Sequence, residues 1–98
     1  MNNKEIEKII FAALDLANQS RDEHEQITIA SDAQLFGQNG QLDSMGLVAL
    51  LVDIEEGLQD MGVNITLSDE KAMSMAHSPF RDVPALTAYI AGLVNGSR

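Results

Sequence analysis

The chain has 98 residues, a formal net charge of −9 and no cysteine. This length predicts one domain over residues 1–98, and the lack of cysteine excludes disulfides, a cysteine-based zinc site and a thiol nucleophile in the chain itself. From Asp22 to Glu70 there are eleven acidic residues and no lysine or arginine, which argues against nucleic acid or an anionic membrane as partner. No apolar stretch is long enough to span a membrane and no signal peptide is visible, so we expect a cytoplasmic protein.

The first predicted element is an amphipathic helix over residues 3–20, followed by a long connection over 21–41. Apolar residues recur in the helix at helical spacing, which is typical of a core-facing stripe: Ile6, Ile9, Ile10, Ala13, Leu14 and Ala17. A connection of that length is uncommon unless it packs down, and we expect Ile27, Ile29, Leu35 and Phe36 to pack. Residues 32–36 are compatible with one helical turn.

The second predicted helix covers residues 44–61 and begins where a loop rich in turn-forming residues ends. Its core stripe consists of Leu47, Leu50, Leu51, Ile54 and Leu58, and Gly62 is the expected stop. The opposite face carries Met45, Val48, Val52 and Glu55, with Asp53 and Glu56 on its flanks. This mixed apolar and acidic set predicts a docking surface.

Asp43 and Ser44 stand at the junction between that loop and the second helix. Either side chain can cap the first turn, and a helix N-terminus also favours anions, phosphate included. A serine there suits phosphorylation or attachment of a phosphodiester. Taken alone, however, these two residues favour a simple cap, because short motifs often match by chance.

The last third predicts an extended connector and two further helices. Val63, Ile65 and Leu67 alternate with polar residues and should pack from a connector, since one isolated strand is not stable. A short helix is predicted over 69–75 and the last helix over 82–95, with Asp82 as its cap and Phe80 in the core. The predicted fold is therefore all-α, an antiparallel bundle of three main helices plus one short helix.

No enzyme chemistry is indicated by the remaining residues. His24 and His77 are the only histidines and have no second ligand at zinc spacing. Ser44 lacks a nucleophile elbow, because Leu42 occupies its first glycine position. There is also no phosphate-binding glycine loop. We therefore expect a protein that is not an enzyme.

Leu35-Phe36-Gly37, a short spacer and Leu42-Asp43-Ser44-Met45 before the apolar helix resemble the acyl carrier protein family. The family pattern is Asp-Ser-Leu, and Met45 replaces the leucine with a side chain of similar volume. The resemblance implies that Ser44 carries 4′-phosphopantetheine from coenzyme A, whose thiol holds an acyl or aminoacyl thioester, and that Asp43 helps a transferase recognise the site. It also implies that partner enzymes contact Met45, Val48, Val52, Asp53, Glu55 and Glu56.

The partners implied by this resemblance are a phosphopantetheinyl transferase, an acyl- or aminoacyl-loading ligase, and downstream synthase or transferase enzymes of fatty-acid, polyketide or peptide biosynthesis. Gly46 and Ala49 stand where family members often have acidic residues, which favours a specialised carrier over a general fatty-acid carrier. Two alternatives remain. The run from Leu42 to Gly46 is similar to D-alanyl carrier proteins, and an unmodified acidic helical adaptor would use Ser44 only as a cap. A monomer is the default for this size and charge.

Overall fold

The computed structural model describes residues 2–37, 40–67 and 79–96. In these ranges the chain forms three α-helices, α1 (Asn3–Gln19), α2 (Ser44–Asp60) and α3 (Val83–Gly96), and one 3-10 turn at Glu23–Glu25. These ranges contain isolated β-bridges but no strand. The all-α fold and the three main helices are thereby confirmed, while the short helix predicted over 69–75 lies outside the described residues.

The helix α1 begins with a capping box that the sequence pattern did not single out. The Asn2 side chain accepts a hydrogen bond from the Glu5 backbone N–H at 2.9 Å, and the Glu5 carboxylate accepts one from the Asn2 N–H at 3.2 Å. Two backbone donors that have no partner inside the helix are thus satisfied at its amino end. The predicted stripe faces the core, where Ile6, Ile10, Ala13 and Leu14 are buried.

The helix α1 lies between the other two and packs against both. Its direction relative to α2 follows from two close approaches. A Cβ built on Gly46, near the start of α2, would lie 3.2 Å from Arg21, and one on Gly57, near the end of α2, would lie 3.0 Å from Ile9. The two helices therefore run antiparallel. The first turns of α3 line a depression together with the first turns of α1, so α1 and α3 begin at the same end of the bundle.

One hydrophobic core joins the three helices with the long connection. The predicted leucine-rich stripe of α2 is fully inside, and each such side chain contributes about 1.5–3 kcal/mol relative to exposure. Phe80 is 1% exposed and packs edge-on against Tyr89, with ring centroids 5.9 Å apart. The predicted core positions of α2 and of Phe80 are thus confirmed.

The long connection over 21–41 packs down as expected, with two corrections. Ile27 and Leu35 are buried, but Ile29 is 38% exposed and does not join the core. The prediction of a helical turn over residues 32–36 is wrong. The backbone N–H groups of Leu35 and Phe36 donate to the carbonyls of Arg81 and Phe80, at 2.7 and 3.2 Å, and such bonds to a distant segment replace the local bonds of a helical turn.

The connector after α2 and the start of α3 follow the sequence prediction. Gly62 ends α2 with φ at +84°, a conformation that glycine adopts readily. Val63 and Ile65 are half-buried and Leu67 is fully buried without forming a strand. At α3 the Asp82 carboxylate accepts a hydrogen bond from the Ala85 N–H at 2.8 Å, which is the predicted cap.

Candidate functional site

The loop before α2 fixes the position of the candidate serine by backbone contacts. The Leu42 N–H donates to the Leu35 carbonyl at 2.8 Å, and the Gly40 N–H donates to the Gly37 carbonyl at 3.0 Å. A Cβ on Gly40 would lie only 2.6 Å from the Leu35 carbonyl oxygen, so the loop can close in this way only with glycine there. Leu42 is 6% exposed. The segment that delivers Ser44 is therefore anchored to the core immediately before the helix starts.

Asp43 is the residue that caps α2. Its backbone is extended, and its carboxylate accepts a hydrogen bond from the Gly46 N–H at 2.7 Å. Its carbonyl accepts the first helical bond, from the Leu47 N–H at 2.9 Å. A carboxylate at this position also interacts favourably with the positive end of the helix dipole. Asp43 thus has a structural role as the cap of α2.

Ser44 occupies the first helical position and takes no part in the cap. Its side chain is exposed, and its hydroxyl makes no hydrogen bond within the described residues. The backbone N–H groups of Ser44 and Met45 also lack an acceptor there. They belong to the first turn, where N–H groups have no partner inside the helix. Among the described residues, the serine hydroxyl therefore has no partner, and the two N–H donors beside it suit an anion.

An apolar surface continues from Ser44 along α2. Met45 is 83% exposed, Val48 41% and Val52 42%. Ser44, Met45, Val48 and Ala49 line a shallow, almost wholly apolar depression of about 390 Å³. Large apolar side chains exposed side by side mark an interaction surface more often than chance exposure. We call Met45, Val48 and Val52 the apolar stripe.

The three acidic residues expected on the docking surface have different surroundings. Glu55 is half-buried, and its carboxylate accepts a hydrogen bond from the Leu67 N–H at 2.6 Å, which ties the connector to α2. Asp53 lies on the flank of α2 that faces α1, and exposed Glu56 stands between that flank and the apolar stripe. Asp53 and Glu56 thus flank the face that carries the apolar stripe, whereas the Glu55 carboxylate is engaged by the Leu67 N–H.

Gly46 and Arg21 belong to this site, and the sequence prediction missed their contact. A Cβ on Gly46 would lie 3.1 Å from the Asp43 carboxylate and 3.2 Å from the Arg21 guanidinium. The glycine thus leaves room for an arginine that follows the end of α1. One feature of the sequence did indicate a packing role for Gly46. Glycine in a helix costs about 1 kcal/mol relative to alanine and usually has a packing reason. The sequence could not show that the neighbour is Arg21, which lies 25 positions earlier in the chain.

Other kinds of site are not found in the part of the chain that the structure describes. No group of three or more His, Asp or Glu side chains there is placed to hold a metal ion. Among the same residues, no helix has the length and apolar character needed to cross a membrane. The second histidine, His77, lies outside the described residues.

Comparisons of the chain with protein-family models, with curated proteins and with solved structures found no match. The resemblance to acyl carrier proteins therefore depends on the sequence pattern, which is centred on the motif around Ser44 and extends over about the last two-thirds of the chain. The fold adds the arrangement of that motif: a capping aspartate, an exposed serine at the first helical position whose hydroxyl has no partner among the described residues, and an apolar stripe that begins at the next residue.

Proposed function

We propose that this chain is a carrier protein in which Ser44 bears 4′-phosphopantetheine and presents acyl or aminoacyl thioesters to partner enzymes. One observation carries the proposal: Asp43 fills the capping role, so the Ser44 hydroxyl is exposed and without a hydrogen bond among the described residues. This arrangement weakens the simplest alternative, in which the serine is only the cap of α2. A serine that caps its helix engages its hydroxyl with a backbone N–H.

The residues at the start of α2 fit a phosphodiester on this serine. The unused N–H groups of Ser44 and Met45 can donate to phosphate oxygens. The neighbouring carboxylate of Asp43 is directed to the Gly46 N–H, which reduces its repulsion of a second anion. When bound, 4′-phosphopantetheine supplies the thiol that a chain without cysteine lacks. The chain itself would position and present this thiol and would not act as an enzyme.

The apolar stripe suits contact with a phosphopantetheinyl transferase, which must reach Ser44, and with a loading ligase and downstream synthases. Met45 lies next to Ser44 in the chain and is the most exposed large apolar residue, at 83%. The first turns of α2 expose no acidic side chain other than the capping Asp43. A partner that binds the amino end of α2 would therefore contact a mainly apolar surface. We take this as support for a specialised carrier with dedicated partners.

The test is transfer of phosphopantetheine from coenzyme A by a broad-specificity phosphopantetheinyl transferase, followed by intact-mass measurement. We expect one phosphopantetheine on the wild type and none on Ser44→Ala. Ser31→Ala is the matched control, since Ser31 is also exposed and has no hydrogen bond among the described residues, and it should load like the wild type. A Ser44→Ala protein that still gains the group would refute the assignment of the site.

The unmodified adaptor is the second candidate, and the apolar stripe on α2 favours it as well, because that surface is exposed without any modification. The same experiment separates the two. Failure of a folded wild-type sample to load, beside a known carrier that does load, would favour the adaptor.

A further inference from the structure

Met45 is the most exposed large apolar side chain among the described residues, and it carries a sulfur atom. It is 83% exposed and follows Ser44 directly in the first turn of α2. A leucine at this position would have a similar volume and would offer the same apolar contact without the sulfur. The sulfur therefore adds a chemical property that apolar contact alone does not need.

That property is oxidation by a peroxide, which converts a methionine thioether to the sulfoxide. With hydrogen peroxide, the sulfur lone pair forms the new S–O bond while the O–O bond breaks. The proton of the transferred oxygen passes to the departing hydroxide, which leaves as water. The sulfur loses two electrons and the peroxide gains them, so the reaction requires no cofactor. Because the peroxide must reach the sulfur, exposure of the side chain favours the reaction.

The composition of the chain restricts sulfur oxidation to methionine, since it has five methionines and no cysteine. Two of them lie in the described ranges, Met45 and Met61. Met61 is the C-cap of α2 and is 50% exposed. The other three, Met1, Met73 and Met75, lie outside the described residues. Of the two described sulfurs, that of Met45 is the more accessible to a peroxide.

Oxidation of Met45 would change the surface beside Ser44 without removing a core contact. Met45 does not belong to the hydrophobic core. With Val48 and Ala49 it lines the almost wholly apolar depression at the amino end of α2. A sulfoxide is polar, and covering it with an apolar partner surface would leave its oxygen without a hydrogen bond. The fold should therefore persist while binding at this depression weakens.

We propose that Met45 is a site of reversible oxidation by hydrogen peroxide, and that the sulfoxide there slows the loading of Ser44. The choice of Met45 depends on its exposure alone, whereas the effect on loading rests on the proposed carrier function. Methionine sulfoxide reductases return the sulfoxide to the thioether. A side chain that is 83% exposed leaves the sulfoxide open to such an enzyme.

The first measurement is a peptide map of the full chain during treatment with a limiting amount of hydrogen peroxide. We expect the sulfoxide of Met45 to form roughly twofold or more faster than that of Met61. Equal or faster oxidation of Met61 would overturn the choice of Met45. This measurement does not involve loading, so it tests the oxidation site even in a chain that accepts no phosphopantetheine.

The second measurement is the KM for loading with phosphopantetheine after the peroxide has been removed. The matched variants are Met45→Leu and Met61→Leu, each of which removes one sulfur and keeps a similar side-chain volume. Oxidised wild type and oxidised Met61→Leu should show a KM raised roughly fivefold. Oxidised Met45→Leu should keep the value of the untreated protein. Treatment of the oxidised wild type with a methionine sulfoxide reductase should restore its KM.

The thermal denaturation midpoint should stay the same in the oxidised and untreated wild type, because Met45 makes no core contact. An equal rise of the KM in oxidised Met45→Leu would overturn the proposal, since the effect would then come from another residue. An unchanged KM in wild type that carries the Met45 sulfoxide would do the same. Untreated wild type that fails to load, beside a known carrier that does load, would refute the proposed function and with it the effect on loading. The peptide map would still decide the site of oxidation.

Discussion

The two ends of α2 expose opposite chemistry on one continuous helix. At the amino end the exposed residues include Ser44, Met45 and Val48, and the serine hydroxyl has no hydrogen bond among the described residues. In the carboxyl-terminal half the exposed residues include Glu56, Gln59 and Asp60. The amino end thus combines an exposed serine hydroxyl with apolar surface, whereas the other half offers charge. Substitutions at the two ends therefore test different properties of one helix.

The same comparison shows that residue type alone does not identify function at either end. Asp43 at the amino end and Glu55 in the carboxyl-terminal half both look like partner-binding carboxylates in the sequence. In the structure, each accepts a hydrogen bond from a backbone N–H, of Gly46 and of Leu67 respectively. Both therefore stabilise the fold, and variants of either must be examined for stability before a loss of function is interpreted.

The largest effect on stability is expected at the loop that anchors the amino end. Gly40→Ala should lower the free energy of unfolding by about 2 kcal/mol or more, because its Cβ would meet the Leu35 carbonyl oxygen at 2.6 Å. The measurement is urea denaturation. The control is Gly92→Ala in α3, whose Cβ would have no neighbour within 4 Å among the described residues and which should gain up to about 1 kcal/mol. Equal stability of the two variants would contradict the described loop.

The next largest loss of stability is expected in the carboxyl-terminal half of α2, where Glu55 links this helix to the connector. Glu55→Ala should lower the free energy of unfolding by about 1–3 kcal/mol, since it leaves the N–H of a buried residue without its acceptor. Glu55→Gln keeps an acceptor oxygen and should lose less. Thermal denaturation of both variants is the measurement, and a Glu55→Ala protein as stable as the wild type would show that the link contributes nothing.

Asp43 allows capping and recognition to be separated. Asp43→Ala should cost about 1 kcal/mol through loss of the cap, whereas Asp43→Asn retains a good cap and should stay close to wild-type stability. If a transferase recognises the charge of Asp43, Asp43→Asn should still load more slowly with phosphopantetheine. Wild-type loading by a stable Asp43→Asn protein would confine Asp43 to its capping role.

The smallest effect on stability is expected when Met45, in α2, or Met61, the C-cap of α2, is replaced. The same two substitutions test the apolar stripe most directly. Met45 is 83% exposed and Met61 is 50% exposed, so a change of either to glutamine should alter stability by no more than about 0.5 kcal/mol. If the transferase covers about half of the Met45 side chain, Met45→Gln should raise the KM for loading roughly fivefold. Met61→Gln should leave this KM unchanged, and equal effects would argue against the stripe.

Much of the fold was predictable because the helices have strong apolar periodicity and clear end signals. The stripe of α2, its end at Gly62 and the Asp82 cap were all read correctly from local pattern. The conformation of residues 32–36 was predicted wrongly, because the backbone N–H groups of Leu35 and Phe36 donate hydrogen bonds to residues 81 and 80. Bonds to a segment so distant in the chain leave no local signature in the sequence.

For the candidate site, the sequence predicted the junction at Ser44 but not the roles of its neighbours. Either Asp43 or Ser44 could have been the cap, and only the hydrogen bond to Gly46 decides between them. The close packing of α1 on α2 at Gly57 and Ile9 could not be predicted from the sequence either. Such contacts follow from helix packing and not from spacing within one helix.

The most direct test of the central claim is the intact mass of the protein purified from its native host, with the modified peptide identified by fragmentation. A carrier should show the mass of one phosphopantetheine, with or without an acyl or aminoacyl group, located on Ser44. An entirely unmodified mass, from cells in which other carriers are loaded, would contradict the account and leave Ser44 as an exposed residue beside the Asp43 cap.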